Sequence, residues 1–327
     1  MAGNPFSMML PPAEWAPDDP RRTPVTVRRR YIDDGFTDRS LAVMVRSGVL
    51  AKPRRGAYVS GPAWSELDAG GRHSVRARAV LAQARTELVL SHVTGLLEYD
   101  APIWGLSLDD VHVTRTDGRI GRPEAGVRQH RGAVELGDVV RRNGVPVMSP
   151  TRVALEITAM TDVEHGLVVV DDLLHRGLTT PVQLAERQQG MTCWPRTLSS
   201  DIVLRLADPR IETVGEARSY FLCFSQHLPM PEPQYEIRDA NGRVIHRVDF
   251  AWPEHGVFME FDGKVKYEKL LKQGERASDV VIKEKRREEL ICRLKGWRCL
   301  RIVWSDLERP VATAAMIRDA LFSSAVA

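Results

Sequence analysis

Apolar and polar residues alternate through much of the C-terminal third of the chain, and this pattern predicts β-strands. The alternating runs are "QYEIRD", "RVIHRVDFAW" and "VFMEFDG", and the Asn241-Gly242 pair between the first two predicts a hairpin. The amphipathic stretch "TVGEARSYFLCFSQH" predicts a helix before these strands. After them we predict a helix over "SDVVIKEKRREELICRLKG", a strand over "WRCLRIVW" and a helix over "PVATAAMIRDALF".

Residues 31–60 carry a shorter helical pattern followed by two strand-like runs. Thr37 or Asp38 is suited to cap a helix that buries Leu41, and Gly48 ends this helix. "VLAKP" and "GAYVS" then predict two strands joined by the basic turn "KPRRG". This is the layout of a winged helix-turn-helix, whose cations contact DNA phosphates. The predicted DNA contacts are Arg39, Arg46, Lys52, Arg54 and Arg55. The alternative is a small helical hairpin whose arginines are only solvated.

Residues 71–190 show helical and strand-like patterns without a catalytic arrangement. We predict helices over "VRARAVLAQARTEL", "SHVTGLLEYDAPIWG", "SPTRVALEITAM" and "VEHGLVVVDDLLHRGL", and strands over "DDVHVTR" and "GVRQHRG". His92, His112 and His130 lie in separate elements with no shared short spacing. We therefore interpret each of them as a structural histidine.

The length of 327 residues suggests two or three domains. We predict an α/β (α+β) multidomain protein with a domain boundary in the turn-rich residues 190–210. Its predicted parts are a disordered arm over 1–24, a winged helix-turn-helix over 25–68, a mixed α/β middle domain over 69–195, and a restriction-endonuclease-like sheet flanked by helices over 205–327.

Composition excludes several other classes of protein. The four cysteines include no C-x-x-C pair, which argues against a zinc knuckle and a disulfide framework and favours the cytoplasm. The first residues do not resemble a signal peptide, and no apolar run is long enough for a membrane span, so no membrane partner is expected.

Local charge says more about partners than the net charge of +3 does. Between Lys264 and Arg301 there are thirteen Lys and Arg against six Asp and Glu. Such a stretch can bind phosphates, although a solvated helix with internal ion pairs is the alternative. The further predicted DNA contacts are Lys266, Lys283, Lys285 and Arg286.

Acids interrupt the predicted strands at positions where they cost stability. Glu260 and Asp262 share one face of their strand because successive side chains point to opposite faces. Asp249 lies on the neighbouring strand, and we expect Val248 and Phe250 on the face opposite to it. A shared cation would offset the cost of these acids.

Converging carboxylates are the hard oxygen ligands that Mg²⁺ or Mn²⁺ prefers, and such a metal activates water for phosphodiester hydrolysis. A nearby lysine helps to position or deprotonate this water. Glu216 could reach the same place from the preceding helix. The predicted catalytic residues are therefore Asp249, Glu260, Asp262, Lys264 and Glu216, with Asp249, Glu260 and Asp262 as metal ligands.

The assignment within this stretch leaves alternatives open. Asp262-Gly263-Lys264 has the D-x-K spelling, whereas Glu260 lies deeper in the apolar strand. Gly263 indicates a kink or bulge, which would decide whether Lys264 or Lys266 faces the metal. An exposed sheet face with ordinary amphipathic patterning is the non-functional interpretation.

Two stretches of the chain resemble known families. The front two-thirds resemble AbiEi-type antitoxins of type IV toxin–antitoxin systems through "DDGFTDRSLAVMVRSGVL", "RRGAYV", "LSHVTGLLEY", "VRQHRG" and "GVPVMSPTRVALEI". The last third resembles the very-short-patch-repair-like endonuclease domains, of the PD-(D/E)xK class, through "RVDFAWPE", "MEFDGKVKY" and "EKRREELICRLKGWRCLRIVWSDL". One departure is that Val248, not proline, precedes Asp249. The resemblance implies a nuclease fold more firmly than an active nuclease.

Together these patterns predict a metal-dependent DNA endonuclease with an N-terminal DNA-binding winged helix, in phage defence or DNA repair. The alternative is a non-enzymatic AbiEi-like antitoxin or transcriptional repressor with an inactive nuclease-like domain. DNA is the expected partner, and a homodimer and a cognate toxin are further candidates. The sequence leaves open which DNA is recognised and whether RNA is preferred.

Overall fold

The computed structural model describes residues 13–119, 124–191, 194–239, 241–263, 291 and 295–323. Within them the protein has the predicted mixed α/β architecture, with three β-sheets and twelve α-helices. The chain divides into two compact units, unit 1 (residues 1–205) and unit 2 (residues 206–327). No described helix is both long and apolar enough to span a membrane.

The N-terminal part of unit 1 contains a three-stranded sheet and three short helices. The elements after a 3-10 helix (Pro20–Arg22) are β1 (Thr26–Val27), α1 (Arg28–Asp33), α2 (Asp38–Arg46), β2 (Leu50–Arg54), β3 (Ala57–Ser60) and α3 (Gly61–Ser65). The Thr37 side chain caps α2 by accepting a hydrogen bond from the Ser40 amide. β3 lies between β1 and β2 and is antiparallel to both. The predicted helix and both predicted strands are confirmed.

The remainder of unit 1 is built on a five-stranded mixed sheet in the order β6-β5-β4-β8-β7. Its strands are β4 (Leu88–Leu90), β5 (Val111–Arg115), β6 (Val127–His130), β7 (Val139–Arg142) and β8 (Val145–Met148). Its helices are α4 (Ala69–Gln83), α5 (His92–Leu97), α6 (Pro150–Met160), α7 (Val163–His175), α8 (Pro181–Gln189) and α9 (Thr197–Leu206).

Several sequence predictions for this region need correction. β5, β6, α6 and α7 are confirmed, but the sequence patterns predicted none of β4, β7, β8, α8 and α9. The helix predicted over "VRARAVLAQARTEL" ends at Gln83, and the last residue of that run, Leu88, begins β4. β4 pairs with both β5 and β8, so sheet pairing overrides the helical pattern there.

The described part of the predicted disordered arm, residues 13–24, packs within unit 1. Trp15 is buried, and its backbone amide donates a hydrogen bond to Asn143 Oδ1 at 2.9 Å. Its ring nitrogen donates to Asp100, and the Arg21 guanidinium lies 3.8 Å from the ring centroid. Disorder is therefore the wrong expectation for this segment, because one buried aromatic side chain anchors it.

His73 is a fully buried histidine that joins α4 to α5 and predicts how unit 1 responds to acid. Its Nδ1 lies 3.0 Å from the Leu108 carbonyl oxygen and its Nε2 lies 2.8 Å from Thr94 Oγ1. Thr94 Oγ1 also accepts a hydrogen bond from the His112 amide, so its hydroxyl hydrogen is available to donate to Nε2. When His73 is neutral and carries its proton on Nδ1, every donor and acceptor in this series of hydrogen bonds is satisfied.

We expect His73 to make unfolding of unit 1 easier as the pH falls from about 6.5 to about 4. Burial lowers its pKa to about 4, whereas an unfolded histidine titrates near pH 6.5, so the unfolded state binds one more proton in this window. The contribution of neutral His73 to stability is fully present above about pH 6.5. Between about pH 6.5 and pH 4, this residue lowers the free energy of unfolding by up to about 1.4 kcal/mol per pH unit. Urea unfolding across this window should show a shallower pH dependence for His73→Gln than for the wild type. The exposed His227, changed to Asn, is the control. Parallel pH profiles for His73→Gln and the wild type would contradict the prediction.

Unit 2 has one four-stranded sheet in the order β12-β11-β10-β9. Its elements are α10 (Val214–Ser225), β9 (Glu232–Arg238), β10 (Val244–Trp252), a 3-10 helix (Pro253–His255), β11 (Val257–Phe261), β12 (Arg298–Ile302), α11 (Trp304–Leu307) and α12 (Pro310–Phe322). β10 is antiparallel to both β9 and β11, and β12 runs parallel to β11. The sequence patterns predicted these helices and strands, apart from the 3-10 helix and the short α11. The predicted helix between β11 and β12 lies mostly outside the described residues.

Apolar side chains cover both faces of this sheet. On one face Met259 and Phe261 of β11 pack with Leu222 of α10 and Ile317 of α12. On the other face Phe258 packs in a second cluster with Val248, Ala251, Ile237 and Ile291. The sheet is therefore a buried layer, and polar side chains along it need specific partners.

Candidate functional site

The acids predicted from the sequence lie at one end of the central strands of unit 2. The antiparallel register pairs Phe250 with Met259, and Asp249 on β10 and Glu260 on β11 are the next residues along their strands. Both are only partly exposed. The two acids thus lie on adjacent strands, as the sequence predicted.

The regular backbone hydrogen bonding between β10 and β11 ends next to Asp249. The last backbone pair in this direction is Phe250 with Met259. Beyond it, the Asp249 carboxylate, rather than a backbone carbonyl, accepts the hydrogen bond from the Phe261 amide at 2.9 Å. Phe261 keeps its pairing with Ile302 of β12. A carboxylate therefore replaces a backbone acceptor at the point where the regular pairing ends.

Glu216 in the first turn of α10 is held by three donors. Its side chain is buried, and Oε1 accepts from the Thr213 hydroxyl at 2.7 Å. Oε2 accepts from the Glu212 amide at 3.1 Å and from Gln234 Nε2 at 2.8 Å. Two of these bonds satisfy groups at the start of α10, so Glu216 has a structural role as part of the helix cap.

Gln234 links Glu216 to the acids of the sheet. The register between β9 and β10 pairs Tyr235 with Val248 and Pro233 with Phe250, which places Gln234 opposite Asp249. The side-chain amide of Gln234 therefore donates to Glu216 on α10, while Gln234 itself lies opposite Asp249 on β10. Sequence reasoning missed Gln234, because a glutamine at the start of a strand carries no recognisable pattern.

A glycine brings α10 close to this end of the sheet. A Cβ atom on Gly215 would lie 2.0 Å from Cε1 of Phe261. Any larger residue would push the helix away from β11 and move Glu216 with it. Gly215 is thus the reason that an acid on a helix can approach acids on strands.

β10 departs from strict alternation next to Asp249. Val248 packs in the same cluster as Ala251, whereas Phe250 packs in the cluster on the other face. The expectation that Val248 and Phe250 share a face is therefore wrong. The residue opposite Asp249, Gln234, has a left-handed backbone conformation with φ of 53°, and this irregularity interrupts the pleat.

Glu260 and Asp262 each lie beside a basic side chain. Glu260 Oε1 is 3.7 Å from Nε2 of His246, and both side chains are largely buried. Asp262 Oδ2 is 3.5 Å from Nη1 of Arg301, while its amide donates to the Ile302 carbonyl. His246 and Arg301 thus lie next to the acids, although the sequence patterns indicated neither residue.

The acids are less tightly grouped than a closed metal site would be. Among the described residues, three or more ligand atoms of His, Cys, Asp or Glu within 4.8 Å of one another occur only in unit 1, at His92, His112 and His130. The four predicted acids of unit 2 therefore do not form such a group in this conformation. Carboxylates repel one another, so gathering them around one ion requires side-chain rotation.

A groove of about 340 Å³ runs along β9 beside this site. Gln234 lines it together with Arg210, Arg238 and Lys295. It gives solvent and small ligands access to the outer side of the sheet near Gln234. Its carboxylates, Glu232 and Glu236, nearly balance its cations, so the groove alone does not indicate an anionic ligand.

The predicted DNA contacts of unit 1 differ in their surroundings. Arg39, Arg46, Lys52 and Arg55 are exposed on α2, β2 and the turn that follows β2. Arg54 instead forms an ion pair with Glu124 and is only 17% exposed. The predicted residues Lys264, Lys266, Lys283, Lys285 and Arg286 lie outside the described residues.

In comparisons with known proteins, neither a family model nor a curated protein matches this chain.

Proposed function

We propose that the chain is a metal-dependent DNA endonuclease in which unit 2 hydrolyses a phosphodiester bond and the N-terminal part of unit 1 binds DNA. The observation that carries the proposal is that Asp249 and Glu260 lie on adjacent strands, each one residue beyond the last backbone pair of β10 and β11. An isolated acid in a buried sheet costs stability, and a shared cation offsets that cost.

The order of elements in unit 2 supports this proposal. A helix, three antiparallel strands and a fourth strand parallel to the third follow one another along the chain. This order resembles the restriction-endonuclease-like core, in which the acids of the second and third strands form the active site. Asp249 and Glu260 occupy those two strands here.

The donor set fits Mg²⁺ or Mn²⁺, because every candidate ligand is a carboxylate oxygen. Asp249 and Glu260 would hold the ion, with Asp262 as a further ligand. When bound, such an ion lowers the pKa of a coordinated water and offsets the charge that develops on the phosphate.

The chain's own residues would orient the reacting groups. The Phe261 amide donates a hydrogen bond to one oxygen of Asp249 and so fixes the orientation of this carboxylate. Glu216 would act as a positioning residue, since its bond to Gln234 braces the strand opposite Asp249. His246 beside Glu260 would donate a hydrogen bond at that carboxylate. Lys264, which lies outside the described residues, is proposed to assist the attacking water.

The topology of the N-terminal part of unit 1 supports DNA binding. Two helices joined by a short turn precede a hairpin, and β1 pairs with the far strand of that hairpin. This order resembles a winged helix-turn-helix. Arg39 and Arg46 project from the second helix as exposed cations, as a helix placed in the major groove requires.

We expect the double variant Arg39→Ala/Arg46→Ala to weaken DNA binding and to lower its salt dependence. Each phosphate contact that is lost reduces the slope of log K against log salt by about 0.9, so the expected reduction is about 1.8. Fluorescence anisotropy with a labelled duplex at several salt concentrations measures this slope. Arg85→Ala, which removes an exposed cation elsewhere in unit 1, should leave it unchanged. Equal slopes for the double variant and the wild type would place the DNA surface elsewhere.

Cleavage itself is tested with the full chain, supercoiled plasmid and either Mg²⁺ or Mn²⁺. The proposal expects nicked or linear product that EDTA prevents.

The second candidate is a non-enzymatic AbiEi-like regulator that binds DNA and a toxin. It is favoured by the donors that already satisfy Glu216 and one oxygen of Asp249. DNA binding without metal-dependent cleavage of any plasmid or duplex tested would select the regulator.

A further inference from the structure

Three histidines of unit 1 that are far apart in the sequence meet in the fold. His92 begins α5, His112 lies on β5 and His130 ends β6. One ring nitrogen from each lies within 4.8 Å of the other two. Within the described part of the chain, this is the only group of three or more potential metal-ligating side chains that is so compact.

The sheet explains why these residues converge. β5 and β6 are parallel neighbours, and their register pairs His112 with Arg128 and Thr114 with His130. The two imidazoles therefore lie one pleat apart on adjacent strands, and His130 Nε2 is 3.0 Å from His112 Nδ1. His92 approaches from the helix that follows β4, on the other side of β5. Its ring lies 3.5 Å from that of His130, centroid to centroid.

We propose that His92, His112 and His130 bind a divalent transition metal ion of the zinc class. Three nitrogen ligands suit Zn²⁺, Cu²⁺, Ni²⁺ or Co²⁺, whereas Mg²⁺ and Ca²⁺ prefer oxygen. Two nitrogens bound to one tetrahedral zinc ion are about 3.3 Å apart, which is close to the separation of the His112 and His130 nitrogens. The proposal concerns unit 1 and is independent of the hydrolytic site proposed for unit 2.

The surrounding residues are arranged as they are around metal-bound histidines. Glu156 Oε2 accepts the His92 backbone amide at 2.8 Å and lies 3.4 Å from Nδ1 of the same residue. The Ser91 hydroxyl lies 3.1 Å from this nitrogen, and a polar partner on one ring nitrogen orients the other nitrogen towards a metal. Arg152 bonds to Glu156 at 3.1 Å and so fixes the carboxylate in turn. This buried support is more than a histidine with only a packing role requires.

The charge state of the cluster also suits a metal. Burial lowers the pKa of His112 to about 4 and that of His130 to about 3, and it lowers the pKa of His92 as well. All three rings are therefore neutral at pH 7, and the neutral ring is the form that binds metal ions. No proton has to be displaced from an imidazolium before binding.

Two geometric consequences follow for the bound state. The rings of His92 and His130 are nearly parallel, so one of them must rotate before both lone pairs can point at one ion. His130 is only partly buried, which leaves a fourth position open to water or to an exogenous ligand. The ion would join α5, β5 and β6, and binding would stabilise unit 1 by linkage.

The test uses the full chain, treated with a chelator and then titrated with Zn²⁺ by calorimetry, with thermal unfolding as a second readout. We expect one Zn²⁺ per chain, a higher unfolding temperature with Zn²⁺, and no such increase with Mg²⁺. His112→Ala should weaken binding by at least about 100-fold, and Glu156→Gln, which keeps the shape of the side chain, by roughly 10–100-fold. His165→Ala, a histidine of unit 1 outside the cluster, is the matched control.

A result obtained on the wild type keeps the proposal testable if a variant does not fold. The wild type loaded with Co²⁺ should show the visible absorption of a tetrahedral, nitrogen-rich site. A chelator-treated wild type that takes up no Zn²⁺ or Co²⁺ would overturn the proposal and leave a hydrogen-bonded histidine cluster. Unchanged affinity in a folded His112→Ala protein would overturn it too. Asp249→Asn should bind Zn²⁺ with the affinity of the wild type. The metal site proposed for unit 1 and the cleavage proposed for unit 2 can therefore be refuted independently.

Discussion

Replacing Asp249 with asparagine is expected to reduce plasmid cleavage by at least about 100-fold. Asparagine keeps the size of the side chain, and its amide oxygen can still accept the hydrogen bond from the Phe261 amide. The substitution therefore preserves the contact that closes the strand pairing. It removes the negative charge that a divalent cation requires. Initial rates with Mg²⁺ and with Mn²⁺ measure the loss.

Controls separate this effect from misfolding. Asp319→Asn changes an exposed acid on α12 in the same unit and should cleave as the wild type does. DNA affinity of Asp249→Asn should be unchanged or slightly tighter, because a negative charge near the bound phosphate is lost. Cleavage by Asp249→Asn at the wild-type rate would show that hydrolysis does not depend on this acid. Loss of DNA binding together with cleavage would instead indicate a structural defect.

Replacing Arg78 with methionine is expected to destabilise unit 1 by about 3–5 kcal/mol. Two guanidinium nitrogens of Arg78 bond the two carboxylate oxygens of Glu98 at 2.7 and 3.0 Å. Glu98 is fully buried, and Asn143 Nδ2 also donates to it at 3.0 Å. Without Arg78, the buried Glu98 carboxylate would keep one side-chain donor from the described residues, Asn143, and an uncompensated charge in the interior is costly. Urea unfolding of the full chain, with amide exchange in β4 and β5 as the local readout, measures the loss.

Two comparisons identify the cause of this loss. Arg28→Met removes the exposed pair with Asp38, which has the same two-bond geometry, and should cost far less because water already solvates both partners. The double variant Arg78→Met/Glu98→Gln removes the negative charge of Glu98 as well as its partner. It should regain part of the stability lost in Arg78→Met. If Glu98→Gln lowered the stability of Arg78→Met further, instead of restoring part of it, this explanation would be contradicted.

Local patterns predicted those elements whose formation depends on neighbouring residues. The Thr37 cap, the Ser149 cap and the Asn241-Gly242 turn each act over three or four residues, and the elements beside them were predicted correctly. Alternation likewise predicted β10 and β11, although apolar side chains of both strands pack on both faces of the sheet. β7 and β8 were missed because the patterns of "VVRR" and "VPVM" are too short to distinguish a strand from a loop.

The candidate site was only partly accessible to the same reasoning. Asp249 and Glu260 could be paired from the strand order, because adjacent antiparallel strands bring their residues side by side. Gln234 and His246 could not be found, since their role depends on the register and on the irregularity beside Asp249. Arg54 was assigned to DNA because it lies in a basic turn, and nothing near it in the sequence indicates Glu124 as its ion-pair partner.

The sequence by itself determined the capped helices α2 and α6, the hairpin and the order of the strands along unit 2, with Asp249 and Glu260 on neighbouring strands. Their energetics are local, so a window of a few residues contains the relevant interactions. Only the tertiary structure decided that His92, His112 and His130 meet, that Glu98 is buried against Arg78, and that Glu216 is tied to the sheet through Gln234. These contacts join residues 18 to 38 positions apart in the chain, and their partners are selected by burial and packing, which no short window of sequence contains.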